Sequence, residues 1–389
     1  MIRIGILTYF NYINYGSMLQ GYATLKAFTK FLSPDDDCLL INYRYQAPFD
    51  KSRGAMLRLR LRRGLHYLTS LKEIYTKYRY SSKLNQKAKY FDAFRENFTC
   101  ITPEFYRDKA QLEQNPPLFD VYVTGSDQTW SPKVSGGYTL TPMFLDFAPE
   151  NSLKAAYAPS LGTTSLSDED KSVLEGKLRK FSVLSCRENS GTELLRTVTG
   201  RDVKKVLDPT LLISADEWRT IAINPSMERG KYILCYFIGH RDYYRKYAEQ
   251  LGKQLNLPVY YIPVSWKDCS KSKKLLFDVG PREFVGLIDN AAVVLTDSFH
   301  GTAFSTNLNT PFYSFVKHSG GSESADNSRL FDYLSSVGLE NRLEDDYKGG
   351  EINYAEIDFD TVNESLAEQR SASEDVMREI VNLARTWND

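Results

Sequence analysis

The chain reads as an α/β protein of two Rossmann-like domains, each built on a parallel sheet, facing each other across a cleft. Short β-branched apolar runs alternate with helical segments along most of its 389 residues. That alternation argues for parallel strands covered by helices on both faces. It comes in two sets, over residues 1–212 and 225–350, joined near 213–230. With 42% apolar and 25% charged residues, a chain of this length can bury two full cores.

The first set opens with a strand over 3–9, a loop over 10–16, a helix over 17–32 and a strand over 38–43. Strands follow at 121–124, 155–158 and 182–185. Ser167 precedes three acids and reads as an N-cap. "VKKVLDPTLLI" reads as an edge strand ended by Asp208-Pro209, and Ser214-Ala215-Asp216-Glu217 as a capping box that opens a helix. The second set begins with the strand "YILCYFIG", a helix over 242–255 and the strand "VYYIP". Pro281 at a first helical position opens a helix to Asn290. A strand at Val293-Val294-Leu295, a helix over 301–308, a strand over 311–316 and a helix from Ser328 complete it. A last helix over about 360–386, in the tail 351–389, is expected to cross back to the first domain.

Composition narrows the class of function. The five cysteines are scattered without a C-x-x-C pair, which argues for reduced thiols in a cytoplasmic protein, against a structural zinc or a disulfide frame. The opening "MIRIGILTYF" reads as a strand rather than a signal peptide, and no apolar run approaches a membrane span. Net charge is zero, yet from Lys51 to Tyr90 there are twelve Lys or Arg and one acid, Glu73. In this basic insertion, about 51–95, Leu57, Leu61, Leu65, Leu68 and Tyr75 fall near one helical face, with Arg58, Arg60, Arg62 and Arg63 between or opposite. A basic amphipathic helix suits an anionic membrane surface; a solvated helix with its arginines paired elsewhere is the plainer alternative.

Four strand-end loops carry candidate chemistry. In "AAVVLTDSFHGTAFSTNL" a buried strand runs into a helix amino terminus, where free amides attract anions. Ser298, Gly301 and Thr302 would line that anion site, and His300 could exchange a proton near neutral pH. In "VYVTGSDQTWSP", Ser126, Asp127 and Gln128 offer the donors and acceptors that hold sugar hydroxyls, and Asp127 could accept a hydroxyl proton. Asn14, Tyr15 and Gly16 lie in the first strand–helix loop, which lacks G-x-G-x-x-G and so gives no support for a dinucleotide site. Arg187 in "VLSCRENS" could fork onto a phosphate or carboxylate, or pair with Glu188 and only fix its loop.

Taken together, "NYGSMLQGYATLKAF", "VTGSDQTW", "AYAPSLG", "CRENSGTELL", "VLDPTLL", "TDSFHGTAFS" and "NSRLFDYLSSVGL" resemble the polysaccharide pyruvyl transferase family. The resemblance runs from about residue 1 to 342 without the basic insertion. It implies a GT-B-like fold with the acceptor on the N-terminal domain and the donor on the C-terminal one. It implies transfer of pyruvate from phosphoenolpyruvate to two sugar hydroxyls as a cyclic ketal. The acceptor implied is a polysaccharide precursor of the exopolysaccharide, capsule or cell-wall kind, often carried on a polyprenyl diphosphate. His300 would then be the general acid that protonates the donor's methylene carbon. No cofactor, metal or nucleic acid is expected, and the protein would be cytoplasmic or peripheral at the inner face of the plasma membrane. Many members have Arg-Leu-His where this chain has Ser298-Phe299-His300. The missing charge would come from Arg187, Lys317 or Arg329, or be replaced by Ser298 and backbone amides. A nucleotide-sugar glycosyltransferase of the same fold and a non-catalytic glycan-binding subunit are the alternatives.

Overall fold

The computed structural model describes residues 1–44, 67–135, 137–139, 141–269, 274–317 and 325–387. In the N-terminal lobe, β1 (Arg3–Leu7) leads through α1 (Tyr15–Thr29) to β2 (Asp37–Leu40). Next come α2 (Tyr67–Phe98), β3 (Val121–Thr124) and β4 (Leu153–Ala156). These strands form one parallel sheet in the order β2-β1-β3-β4, with Ile4 facing Cys38 on one side and Val121 on the other. β3 and β4 are buried on both faces; β3 is apolar up to its final Thr124, and β4 buries Lys154 between apolar neighbours. α3 (Asp168–Leu178) starts where expected, with the Ser167 hydroxyl accepting from the Asp170 amide.

The strand expected at 182–185 contracts. Val183 makes only an isolated bridge to Ala155, and β5 (Ser185–Cys186) turns away to pair with β6 (Lys204–Lys205) in a sheet of its own. α4 (Asn189–Thr199) lies between them, and α5 (Ala215–Ile221) begins on the Ser214–Glu217 capping box.

The C-terminal lobe runs β7 (Ile233–Tyr236), α6 (Asp242–Gln254), β8 (Val259–Tyr261), α7 (Pro281–Asn290), β9 (Val293–Thr296), α8 (Phe299–Asn307), β10 (Phe312–Phe315) and α9 (Ala325–Ser336). β11 (Leu343–Glu344), two residues long and too short for a periodic signal, completes the parallel sheet β11-β10-β9-β7-β8. α10 (Phe359–Trp387) ends the described chain.

Each sheet has a point where successive connections leave in opposite directions, between β1 and β3 in one and between β7 and β9 in the other. The crevice beyond the carboxyl ends of such a strand pair is where open α/β sheets bind ligands. The lobes are joined by a shared apolar core. Tyr15 and Tyr22 of α1 belong to one cluster with Trp218, Phe284 and Phe304, and the Tyr15 ring stacks on Phe284 at 4.5 Å. Burying one such side chain contributes about 2 kcal/mol. α10 straps the same seam. Arg370 donates to Leu211 O and Asn307 Oδ1, and Trp387 Nε1 donates to Asn151 O beyond the far edge of the first sheet.

α2 spans both lobes. Phe94 packs against Tyr22, Lys87 Nζ donates to Pro263 O at 2.6 Å, and Tyr80 stacks on Phe277. The amphipathic stretch from Leu57 to Leu65, with Arg58, Arg60, Arg62 and Arg63, lies outside the described residues. No described helix is long and apolar enough to cross a membrane. All five cysteines are free, with Cys100 exposed and the others buried.

Candidate functional site

The two crevices meet. In the C-terminal one, Ser298 caps α8 and His300 follows in its first turn, so the imidazole projects from the end of β9 toward the other lobe. It lands on Gly16, where a Cβ would lie 2.1 Å from His300 Nδ1. Only glycine lets the ring approach so closely. The ring is buried, and its Nε2 lies 3.6 Å from Asp208 Oδ2, an ion contact beyond hydrogen-bond range.

Asp208 is the hub of the site. Its Oδ2 accepts from Arg187 Nη1 at 2.8 Å and Ser126 Oγ at 2.9 Å, and its Oδ1 accepts from the amide and hydroxyl of Thr210. Burial alone would raise its carboxyl. The His300 imidazole, the Arg187 guanidinium and the Thr210 hydroxyl outweigh burial and hold it far below the usual carboxylate range. Asp127 lies beside it at φ 76°, a left-handed conformation costing a residue with a Cβ roughly 1–2 kcal/mol. Its Oδ2 accepts from Ser17 Oγ at 2.8 Å, which ties the loop after β3 to the start of α1. Its Oδ1 accepts from the Gln128 amide at 2.9 Å. Here too burial raises the carboxyl, and His300, Arg187, Ser17 and Gln128 together bring it below its ordinary value.

Arg187 is buried among three carboxylates. It lies 2.8 Å from Asp208, 3.8 Å from Glu188 and 3.9 Å from Asp127, with its guanidinium over the Phe299 ring at 4.6 Å. Burial disfavours its charge, but Asp208, Glu188 and Asp127 reverse that and raise its pKa. Arg187 is therefore a counter-cation to these carboxylates, and its Nε and Nη2 are buried without a hydrogen-bond partner. Glu188 in turn accepts from Ser160 Oγ and the Leu161 amide. Among the described residues no group of three or more His, Cys, Asp or Glu is arranged to hold a metal ion.

Other residues expected to contact ligands are engaged within the protein. The Tyr15 hydroxyl donates to Val279 O and its ring is enclosed by Phe284, Tyr236 and Phe91, so it clasps the lobes instead of touching an acceptor. Ser126 is buried and orients Asp208. Thr302 is fully buried, bonded to Ser314 Oγ and Ser298 O, and its amide is taken by Ser298 O. A Cβ at Gly301 would lie 2.4 Å from Thr296 Oγ1, so that glycine serves close packing of α8 on β9, and its amide donates to the Ser298 hydroxyl at a long 3.4 Å. The anion site expected at Gly301 and Thr302 thus loses most of its donors to the helix cap.

Asn14 caps α1 through its side chain and is exposed beside Gly16; Gln128 is half-buried next to Asp127. Lys317 follows β10, and its charge works against the burial that raises the pKa of Asp297, at the end of β9. Arg329 is buried and lines a cavity of about 20 Å³ with Arg187, Asp208 and Phe299. Sequence reasoning missed Asp208, Ser17 and Glu188. Their one signal was position: Asp208 stands before a proline at a strand's end, and Ser17 and Glu188 stand beside residues already singled out.

The family model of polysaccharide pyruvyl transferases matches residues 14–319, most of the chain. No curated protein matches it. Among solved structures, the UDP-N-acetylglucosamine 2-epimerase from Rickettsia bellii is similar, at 11% identity over 100% of this chain and 98% of that one, with a TM-score of 0.48. The UDP-GlcNAc 2-epimerase of Methanocaldococcus jannaschii is similar at 11% identity over 94% and 92%, with a TM-score of 0.45. The E. coli heptosyltransferase WaaC with ADP-2-deoxy-2-fluoro heptose is similar at 12% identity over 86% and 100%, with a TM-score of 0.39.

Proposed function

The chain belongs to the polysaccharide pyruvyl transferase family, and from that premise we propose that it moves pyruvate from phosphoenolpyruvate onto two hydroxyls of one sugar as a cyclic ketal. The acceptor is a polysaccharide precursor on a lipid carrier. One observation carries the reading: an imidazole from one lobe, His300, is pressed onto the other lobe at Gly16 and faces the carboxylates of Asp208 and Asp127.

His300 protonates the methylene carbon of the donor, and the adjacent carbon becomes electrophilic. The first sugar hydroxyl attacks that carbon, and its proton returns to His300. The carbon–oxygen bond to phosphate then breaks, and the second hydroxyl closes the ring, its proton leaving with the phosphate. Two hydroxyls and one enol phosphate become one ketal and one hydrogen phosphate. Asp127 is a weak base because Ser17, Gln128, Arg187 and His300 all stabilise its ionised form. It and Asp208 instead complement the charge of an imidazolium. Lys317 and the first-turn amides of Phe299 and His300 hold the donor's anionic groups. Asn14 and Gln128 meet the acceptor.

The test is phosphate release on incubation with phosphoenolpyruvate and lipid-linked oligosaccharide. The acceptor should gain the mass of pyruvic acid less one water. His300→Gln should lower the rate by about 10²–10⁴-fold, the usual worth of a positioned acid. Turnover that requires a nucleotide sugar, or a His300→Gln protein as active as the parent, would sink the reading.

A further inference from the structure

We propose that the outer face of α2 is a docking surface for an anionic lipid headgroup layer. The helix has two unlike faces. Tyr80, Lys87, Phe91 and Phe94 turn inward onto the protein. Tyr75, the adjacent pair Tyr78 and Arg79, Ser82, Gln86 and Lys89 follow at steps of three or four residues on the other side, and all six are exposed. Tyr78 is 82% exposed and Tyr75 61%, the two most exposed aromatic rings among the described residues. Exposed rings scattered singly need no explanation. Two on one helical face, flanked by cations, match the chemistry of a headgroup layer. A tyrosine ring sits between chain and water, and a lysine or arginine meets the anionic phosphate.

Charge gives the orientation. Over its whole length α2 carries seven Lys or Arg and three acids, Glu73, Asp92 and Glu96, the last two in its C-terminal turns, whereas the whole molecule is neutral. An anionic surface attracts this helix and repels the acidic remainder, so the molecule docks with α2 toward the lipid. The inner face of α2 places Lys87 over the ring of Tyr15, the neighbour of Gly16. One helix diameter of about 10 Å then separates the headgroups from the wall of the cleft.

The full-length protein is co-sedimented with phosphatidylcholine vesicles, with and without phosphatidylglycerol, at low and high salt. Binding should require phosphatidylglycerol and fall with salt. Tyr75→Ser with Tyr78→Ser, and separately Arg79→Glu with Lys89→Glu, should each lower partitioning by at least about tenfold, with circular dichroism unchanged. No binding, equal binding to neutral vesicles, or a tyrosine variant that binds like the parent overturns the proposal. In the last case, displacement by soluble polyphosphate would reassign the face to a soluble polyanion.

Discussion

The two crevices each use an aspartate, half-buried Asp127 and buried Asp297, for the same mechanical task and shift its pKa in opposite directions. In the N-terminal lobe Asp127 links the loop after β3 to the helix after β1 through Ser17. In the C-terminal lobe Asp297, at the end of β9, accepts from the amides of Ile238 and Gly239 beyond β7, both at 2.6 Å. Asp127 shares its surroundings with Arg187 and His300 and falls below the ordinary carboxylate range. Asp297 is buried with amides, a tyrosine and the charge of Lys317, and burial wins, raising it. Desolvation raises both; His300 and Arg187 overcome it at Asp127, and Lys317 does not at Asp297. The first lobe thus presents fixed negative charge, and the second supplies the imidazole that meets it.

Removing the hub should break this contrast most severely. Asp208→Asn leaves Arg187 and His300 short of a buried counter-charge, and losing one partner of such a set costs about 3–5 kcal/mol. Urea unfolding should show it, with activity falling in parallel. Gly16→Ala should come next. The new methyl group would displace the His300 ring, and a shift of about 1 Å at a reacting group costs roughly 100-fold in rate. Its unfolding midpoint should move far less than its rate, which separates misplacement from misfolding. Asp297→Asn should cost only about 1–2 kcal/mol, one charged acceptor being lost to an amide. If it damaged the rate as much as Asp208→Asn does, the crevices would not differ as argued.

The acid limb sharpens the comparison at the lowest amplitude. Asp208 and Asp127 have folded pKa values below their unfolded ones, so their stabilisation is present above about pH 4 and drains away as pH falls further. Asp297 runs the other way, adding relative stability at low pH and losing it as pH rises through its raised value. Acid unfolding of Asp208→Asn should therefore be shallower than that of the parent, and that of Asp297→Asn steeper.

Much of the fold was legible in the chain because local physics decided it. β3, β4, β7 and β9 are buried on both faces and are apolar at every position but Thr124, Lys154 and Thr296. Ser167, Ser214 and Pro281 mark helix starts through bonds and angles confined to a few neighbours. His300 could be singled out for the same reason, since a strand end and a helix start bracket it in sequence. The sequence by itself thus determined the two parallel sheets, the caps and the place of the imidazole. What that imidazole faces was decided only by the tertiary structure. Asp208 meets Arg187 and His300 from distant parts of the chain, and a lone Asp-Pro looks like any strand terminator. Tyr15, Ser126 and Thr302 looked like ligand contacts because their neighbours in sequence are polar, yet packing between lobes and layers turned each inward. Local propensity acts over a few residues, while the ionisation of a buried group depends on charges that only folding brings within reach.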